Sequence, residues 1–411
     1  MYIWNTISGI LNASEAVLMS MIVMRTTGLS DAGVLTIAFA VGNLFSCIGK
    51  FGVRNIQATD QIRKFTFREY FFARLLSVVF MLIAVITYLR IGVNATNNIA
   101  EEKLVILVIC LVYASEAVED VFWGLYQQNN HLEVGAKMFC ARWAVLIFIF
   151  AINMILGRSL LLSIGTASIC SYFVLIVAIL ITFPRYRKKE NISLKASLEI
   201  LKQGFPLMTA SFFEFYLINA PKFSISEVMN NEAEAAYGFI AMPVFAIGLL
   251  SSFIYAPVIV KMSNEWNLKH CDTIRSYAVR QLQVIAVITI ICAIASYFIG
   301  IPVLSEIYAV SLKEYRSELV ILLIGGGFLA AASYVIVIFT IMRCQIDAIW
   351  ISIISSVIAY LMLTPAVVAK GITGAAIAFL IIMIIYCGMC MVDLKTRFVK
   401  IIGTNNFEKK Q

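Results

Sequence analysis

The sequence has 411 residues, of which 61% are hydrophobic and 14% charged, and its formal net charge is +8. A soluble chain would carry about 25% charged residues, so the composition excludes an ordinary soluble domain. The apolar residues form continuous runs of about 20 residues rather than the alternating pattern of membrane barrel strands. We therefore predict an all-α polytopic membrane protein. The first run has no basic segment before it and no small-residue cleavage site, so it is interpreted as a mature helix.

The apolar runs predict twelve membrane-spanning helices. Each run is long enough to cross a hydrocarbon layer, which takes about 17–25 helical residues. The predicted spans cover residues 4–24, 31–50, 70–90, 104–127, 137–156, 160–183, 204–221, 235–260, 277–299, 317–342, 348–367 and 372–392.

The basic residues predict the orientation of these spans. With the amino terminus in the cytoplasm, 23 of the 32 lysines and arginines fall in inner segments and 8 in outer segments, while Arg74 lies within the third span. Cytoplasmic segments of membrane proteins are enriched in Lys and Arg. We therefore expect both termini to be cytoplasmic, and the positive net charge requires no nucleic acid to explain it.

A weak internal repeat divides the spans into two halves of six. Tyr70 and Arg74 open the third span, and Tyr277 and Arg280 open the ninth. Because six is even, both halves keep one orientation, as in transporters whose repeats are related by an axis along the membrane normal. We predict two pseudo-symmetric six-helix lobes around a central cavity. The predicted divisions are an N-terminal lobe at residues 1–183, a basic cytoplasmic linker at 184–202, a C-terminal lobe at 203–392 and a cytoplasmic tail at 393–411.

Several charged residues lie within the predicted spans, where a charge is costly unless it faces a partner or a cavity. The acidic ones, our candidate ion-coupling residues, are Glu15, Glu116, Glu119, Asp120 and Glu214. Glu116, Glu119 and Asp120 share one face of the fourth span, because residues three and four apart are neighbours on a helix. We expect Glu119 or Asp120 to reach Arg74. The contact is interpreted either as a structural ion pair or as part of a proton or cation coupling site.

Four cations form the predicted substrate-binding set. Arg25 and Lys222 end the first and seventh spans, and Arg74 and Arg280 open the third and ninth. Arginine binds a phosphate group through two parallel hydrogen bonds and lysine binds it as a point charge. Arg25 and Lys222 would therefore suit an anionic headgroup such as a pyrophosphate. The alternative for each is a side chain that reaches the membrane surface without a ligand.

The sequence shows no pattern typical of a metal site, a phosphate-binding loop or a nucleophilic triad. Its two histidines, His131 and His270, fall in predicted inner loops. We therefore expect no metal and no cofactor, and we favour a transporter over an enzyme.

Short motifs in a consistent order point to a family. They are Asp31-Ala-Gly33, Arg54-Asn-Ile-Gln-Ala-Thr-Asp60, the set Glu116, Asp120, Gly124 and Gln127, then Asn219-Ala-Pro-Lys-Phe223 and Met242-Pro243. With these motifs and its twelve spans, the chain resembles the bacterial polysaccharide transporter family. This family contains the O-antigen and capsule flippases of the multidrug, oligosaccharidyl-lipid and polysaccharide exporter superfamily.

The resemblance implies a V-shaped fold of two lobes and a location in the bacterial inner membrane. It implies movement of an undecaprenyl-diphosphate-linked oligosaccharide from the cytoplasmic to the outer leaflet during the synthesis of a surface polysaccharide such as lipopolysaccharide. It also implies ion coupling at the acids of the fourth span, with the lipid carrier, membrane lipid, a polysaccharide polymerase and chain-length machinery as partners. The alternatives are a multidrug or toxin extruder of the same superfamily, a membrane enzyme of glycan assembly and an assembly protein.

Overall fold

The computed structural model describes residues 2–60, 63–91, 99–186, 192–268, 270–342 and 344–408. All regular structure in these ranges is helical, so the predicted all-α fold is confirmed. The α-helices are α1 (Tyr2–Thr26), α2 (Leu29–Lys50), α3 (Val53–Thr59), α4 (Phe67–Ile91), α5 (Ile99–Gln128), α6 (Leu132–Ile155), α7 (Leu160–Thr182), α8 (Leu194–Val228), α9 (Asn231–Asn267), α10 (Cys271–Ala295), α11 (Ile301–Tyr308), α12 (Arg316–Ile341) and α13 (Gln345–Glu408). A π-helical turn, Ser296–Gly300, joins α10 to α11.

The predicted membrane spans coincide with these helices. In the described ranges, nine helical stretches are long and apolar enough to cross a membrane. The last of them, Ile346–Phe398, contains both the eleventh and the twelfth predicted span, which are separated by the non-helical residues Lys370 and Gly371. The two predicted spans outside the nine belong to α5 and α8, which carry candidate ion-coupling acids. The chain is therefore a multi-pass membrane protein.

The chain forms two compact units, unit 1 (Met1–Ala235) and unit 2 (Ala236–Gln411). In unit 1, α2 packs against α1, α4, α5 and α8 and has most of its side chains buried. Gly33 permits a very close approach of α2 to the start of α9, because a Cβ atom there would collide with the carbonyl oxygen of Asn231. Nearby, the Asn231 side chain donates a hydrogen bond to Glu102 Oε1 at 2.8 Å. Unit 1 is thus built around α2.

In unit 2, α12 is the central helix. Three consecutive glycines, Gly325 to Gly327, lie against Phe379 of α13, Val244 of α9 and Thr289 of α10. A side chain at any of the three would collide with its neighbour, so these glycines serve close helix packing.

The predicted division into two six-helix lobes with a linker at 184–202 stays a prediction. Residues 187–191 of that linker and 409–411 of the predicted tail lie outside the described residues. In the structure α8 (Leu194–Val228) packs within unit 1 against α2, α3 and α4. The prediction had assigned its first residues, up to 202, to the linker and the rest to the C-terminal lobe.

Candidate functional site

The acidic face of α5 is the centre of a buried ion-pair network in unit 1. Glu116 Oε1 accepts a hydrogen bond from Lys50 Nζ of α2 at 2.6 Å. Asp120 Oδ2 accepts one from Arg74 Nη2 of α4 at 2.7 Å. The predicted contact between Arg74 and Asp120 is confirmed.

Glu119, the alternative partner considered for Arg74, pairs with a different arginine. Its Oε2 accepts a hydrogen bond from Arg142 Nε of α6 at 2.6 Å. Arg142 Nη2 also lies 3.7 Å from Glu116 Oε2, so this arginine joins two of the three acids. We call the set the α5 network. It consists of Glu116, Glu119, Asp120, Lys50, Arg54, Arg74 and Arg142.

Arg54 joins the network through one of the motifs on which the family resemblance rests. It lies in α3, with Nη1 3.3 Å from Asp120 Oδ1 and Nη2 3.3 Å from Gln127 Oε1. Its guanidinium group also stands 4.5 Å from the ring centre of Trp123. An arginine over an indole face gains a cation–π attraction. The α2–α3 turn is therefore held against α5 by charge, hydrogen bonds and ring contact together.

Asp60 ends the same motif and orders the turn between α3 and α4. Partial burial opposes its ionisation, but the backbone N–H groups of Lys64 and Phe65 and the Tyr70 hydroxyl all donate hydrogen bonds to its carboxylate. These donors outweigh the burial and hold the pKa of Asp60 below its usual value. The carboxylate thus acts as a local cap that positions the start of α4.

The side chains of the α5 network differ in how deeply they are buried. The side chains of Arg74 and Arg142 are 0% exposed and that of Glu119 is 1% exposed, whereas that of Lys50 is 38% exposed. Fully buried ions require close partners, because each one loses its hydration. Arg74 also donates to the carbonyl oxygen of Gly49 at 2.8 Å. Arg74 and Arg142 therefore belong to the interior of the network, and Lys50 lies at its open side.

Glu15 of α1 is also buried near this network, but its hydrogen-bond partner is not a cation. The Tyr113 hydroxyl donates a hydrogen bond to its Oε1 at 3.1 Å, and its other oxygen has no hydrogen-bond partner among the described residues. No cation in those ranges lies within 4.0 Å of it, unlike the acids of α5.

A polar cavity of about 360 Å³ adjoins the network. Asn5, Ser8 and Asn12 line it from one face of α1, as their spacing of three and four residues requires. The remaining lining residues are Gly9, Lys50, Arg54, Glu116, Glu119, Asp120, Trp123, Leu132 and Phe139. Acids, amides and cations around one cavity can bind a polar group, water or a small cation.

The other predicted site residues lie in different surroundings. Lys222 of α8 is buried and interacts electrostatically with Glu234 of α9, which is 1% exposed. Neither carboxylate oxygen of Glu234 has a hydrogen-bond partner in the described part of the chain. Arg25 is exposed at the end of α1, Arg280 is exposed in α10 of unit 2, and Glu214 is half-buried in α8. The substrate-binding and ion-coupling roles of all these residues stay predictions.

Sequence analysis missed Arg142, Lys50 and Arg54 as partners of the α5 acids. Arg142 was counted among the basic residues of an inner segment, but it lies in the third turn of α6 and is fully buried. The available signal was charge balance, because one arginine cannot compensate three acids on one helix face. The polar face of α1 was also missed, although its spacing within an apolar run is visible in the sequence.

No protein-family model matches the sequence, and no curated protein does either. Solved structures do match. An inward-facing multidrug resistance MATE family transporter of the MOP superfamily aligns with a TM-score of 0.75 at 12% identity, covering 95% of this chain and 96% of that one. The lipid II flippase MurJ, in an inward closed conformation, aligns with a TM-score of 0.73 at 14% identity, covering 98% and 90%. The eukaryotic MATE transporter AtDTX14 aligns with a TM-score of 0.64 at 13% identity, covering 97% of each chain.

The chain has the fold of these transporters. The likeness extends over nearly the whole of each chain and, at 12–14% identity, shows the fold alone, so the multidrug, oligosaccharidyl-lipid and polysaccharide exporter superfamily stays a prediction. The polysaccharide transporter family within that superfamily stays a prediction.

Proposed function

We propose that this protein is a flippase of the bacterial inner membrane. In this proposal it moves a polyprenyl-diphosphate-linked oligosaccharide from the cytoplasmic to the outer leaflet by alternating access, with both termini in the cytoplasm. The buried charges of unit 1, namely the α5 network, Glu15 and the Lys222–Glu234 pair, are the observation that carries the proposal. Ionisable groups inside a membrane protein are costly and typically mark substrate or ion pathways. The fold shared with the lipid II flippase MurJ supports a lipid-linked substrate.

Glu15 is our first candidate for coupling to a proton or another cation. The acids of α5 already have arginine or lysine partners within 4.0 Å, whereas Glu15 accepts a hydrogen bond from the Tyr113 hydroxyl and interacts with Arg142 and Lys50 only at longer range. A buried carboxyl group without a cationic partner is readily neutralised by a proton or a bound cation. We propose that Glu116, Glu119 and Asp120 hold the surrounding helices in place and that Glu214 has a secondary role in coupling.

For the diphosphate headgroup we propose Lys222 and Arg25 of unit 1. The substrate-binding role of Arg280, in unit 2, is a separate prediction. Arg74 is better suited to a structural role, because its guanidinium group is fully buried and bound to Asp120 and to the backbone of Gly49. A headgroup could reach Arg74 only by separating it from Asp120.

Reconstituted transport tests this proposal directly. In proteoliposomes, the wild-type protein should move a fluorescent lipid-linked oligosaccharide between leaflets, and Glu15→Gln should abolish the acceleration by an imposed ion gradient. Glu101→Gln is the matched control, since Glu101 is an exposed acid in the first turn of α5. Equal gradient dependence in all three proteins would exclude Glu15 as the coupling residue, and no movement of the oligosaccharide lipid by the wild type would exclude the flippase.

A multidrug extruder is the second candidate, because a MATE transporter aligns with a TM-score of 0.75. Efflux of fluorescent organic cations, together with unchanged surface polysaccharide in a deletion strain, would favour it. The predicted polymerase and chain-length partners would be expected only for the flippase.

A further inference from the structure

A groove of aromatic side chains lies between α4, α5 and α7, and it shares no residue with the cavity beside the α5 network. Its volume is about 480 Å³, within the range of about 300–1,000 Å³ that is typical of ligand sites. Phe67, Phe71 and Phe122 form its wall with ring centres 5.3–6.2 Å apart, and Phe183 closes one end. Among the described residues, Arg68 is the one cation in its lining.

The groove lies where α4 begins, at Phe67, and where α7 ends, at Thr182. Both helices present exposed apolar side chains along the turns that lead away from it. Val79 of α4 is 51% exposed, and Ile176 and Leu180 of α7 are 56% and 68% exposed. In a multi-pass membrane protein such side chains face lipid tails. The groove is therefore continuous with the lipid-facing surface.

Exposed basic residues lie where α4 begins and where α7 ends. Arg63 and Lys64 precede α4 and are exposed, and Arg185 follows α7 and is also exposed. The acids near this end have other contacts. Glu69 is buried and accepts a hydrogen bond from the backbone N–H of Thr66 at 2.8 Å. Asp60 accepts hydrogen bonds from the backbone N–H groups of Lys64 and Phe65, and Glu199 interacts electrostatically with Lys64 and Lys202. Basic pockets between membrane helices at a membrane surface attract anionic lipid headgroups.

We propose that this groove binds an anionic phospholipid, with one acyl chain along the aromatic wall and the phosphate group on Arg68. Aromatic rings offer a rigid apolar surface, and the planar guanidinium group matches a phosphate. The bound lipid would contact the start of α4, the end of α7 and Phe122 of α5, which lines the groove with them. It is a resident lipid, distinct from the transported lipid of the proposed function.

Lipid retention measured by native mass spectrometry tests the headgroup contact. The full-length protein is purified from nanodiscs of phosphatidylglycerol and phosphatidylcholine. Wild type should retain phosphatidylglycerol preferentially, and Arg68→Gln should lower its retention about fivefold. Arg90→Gln is the matched control, because Arg90 is an exposed arginine at the other end of α4. Equal loss in both variants, or equal retention of the two lipids by wild type, would overturn the proposal.

A second measurement tests the acyl-chain contact and leaves the charge of the protein unchanged. Phosphatidylglycerol with a photoreactive group on one acyl chain should label the wild-type segments 67–75 and 179–186 several-fold more than segment 160–176. Leu75→Trp, at the mouth of the groove, should suppress this labelling, whereas Val79→Trp, on the same lipid-facing side but outside the lining, should not. Uniform labelling along α7 would refute the site, and displacement by polyprenyl phosphate at far lower concentration than by phosphatidylglycerol would refute the assigned lipid.

Discussion

The α5 network and the Lys222–Glu234 pair both bury charges in unit 1, but they are built differently. In the network, Glu116, Glu119 and Asp120 each accept a hydrogen bond from a cation at 2.6–2.7 Å. In the pair, Glu234 interacts with Lys222 without a hydrogen bond to either carboxylate oxygen among the described residues. A closely bonded network resists change, whereas a loosely joined pair leaves each charge able to take a new partner. This difference suggests that the first holds helices together and the second is suited to a ligand.

The largest expected effect comes from breaking the network at Arg142, one of its two fully buried cations. Arg142→Gln leaves Glu119 without its cation, and it should lower the free energy of unfolding by about 3–5 kcal/mol. Thermal unfolding of the detergent-purified protein measures this loss. Arg158→Gln, which changes an exposed arginine after the same helix, should have little effect. The double variant Arg142→Met with Glu119→Met should recover part of the loss, and a double variant as unstable as Arg142→Gln would argue against a network held by its charges.

A smaller effect should follow from displacing the helix that carries Glu234. Gly33→Val places a side chain against the carbonyl oxygen of Asn231, at the start of α9, three residues before Glu234. Overpacking of this kind costs about 1–3 kcal/mol, and we expect transport to fall with it. Gly165→Val is the control, because a Cβ atom at Gly165 meets no atom within 4 Å. Matching melting temperatures for the two valine variants would show that the α2–α9 contact is not tight in the membrane.

The smallest expected effect on stability concerns the pair itself. A double-mutant cycle with Lys222→Met and Glu234→Gln should give a coupling energy below about 1 kcal/mol, whereas Arg142 and Glu119 should approach the upper limit of about 3 kcal/mol. Lys222→Ala combined with Arg25→Ala should nevertheless abolish translocation in proteoliposomes. A strong coupling energy between Lys222 and Glu234, together with normal translocation by the variant that combines Lys222→Ala and Arg25→Ala, would contradict this assignment. The Lys222–Glu234 pair would then be the structural group, and the α5 network would be the candidate for ligand binding.

The sequence was sufficient for the membrane spans and for part of the α5 network. Each apolar run had to become a helix, since lipid leaves no other partner for backbone groups. Local composition alone located the ten predicted spans that lie in the nine membrane-length stretches of the described residues. The acids of α5 share a face by helical spacing, and Arg74 reaches Asp120 because consecutive spans are antiparallel neighbours. Arg142 could not be assigned in this way, because its pairing with Glu119 depends on how α6 is rotated against α5, and that rotation depends on tertiary packing.

Burial and pairing were decided only in the tertiary structure. The sequence by itself determined that the chain crosses the membrane many times and that a few charges lie inside it, because the hydrophobic requirement acts on each segment separately. It did not show that Lys222 faces Glu234, that Glu15 meets Tyr113 instead of a cation, or that Arg68 lies in an aromatic groove. Each of these contacts joins residues from different helices, so it is set by the way the helices pack together and not by the spacing within any one of them.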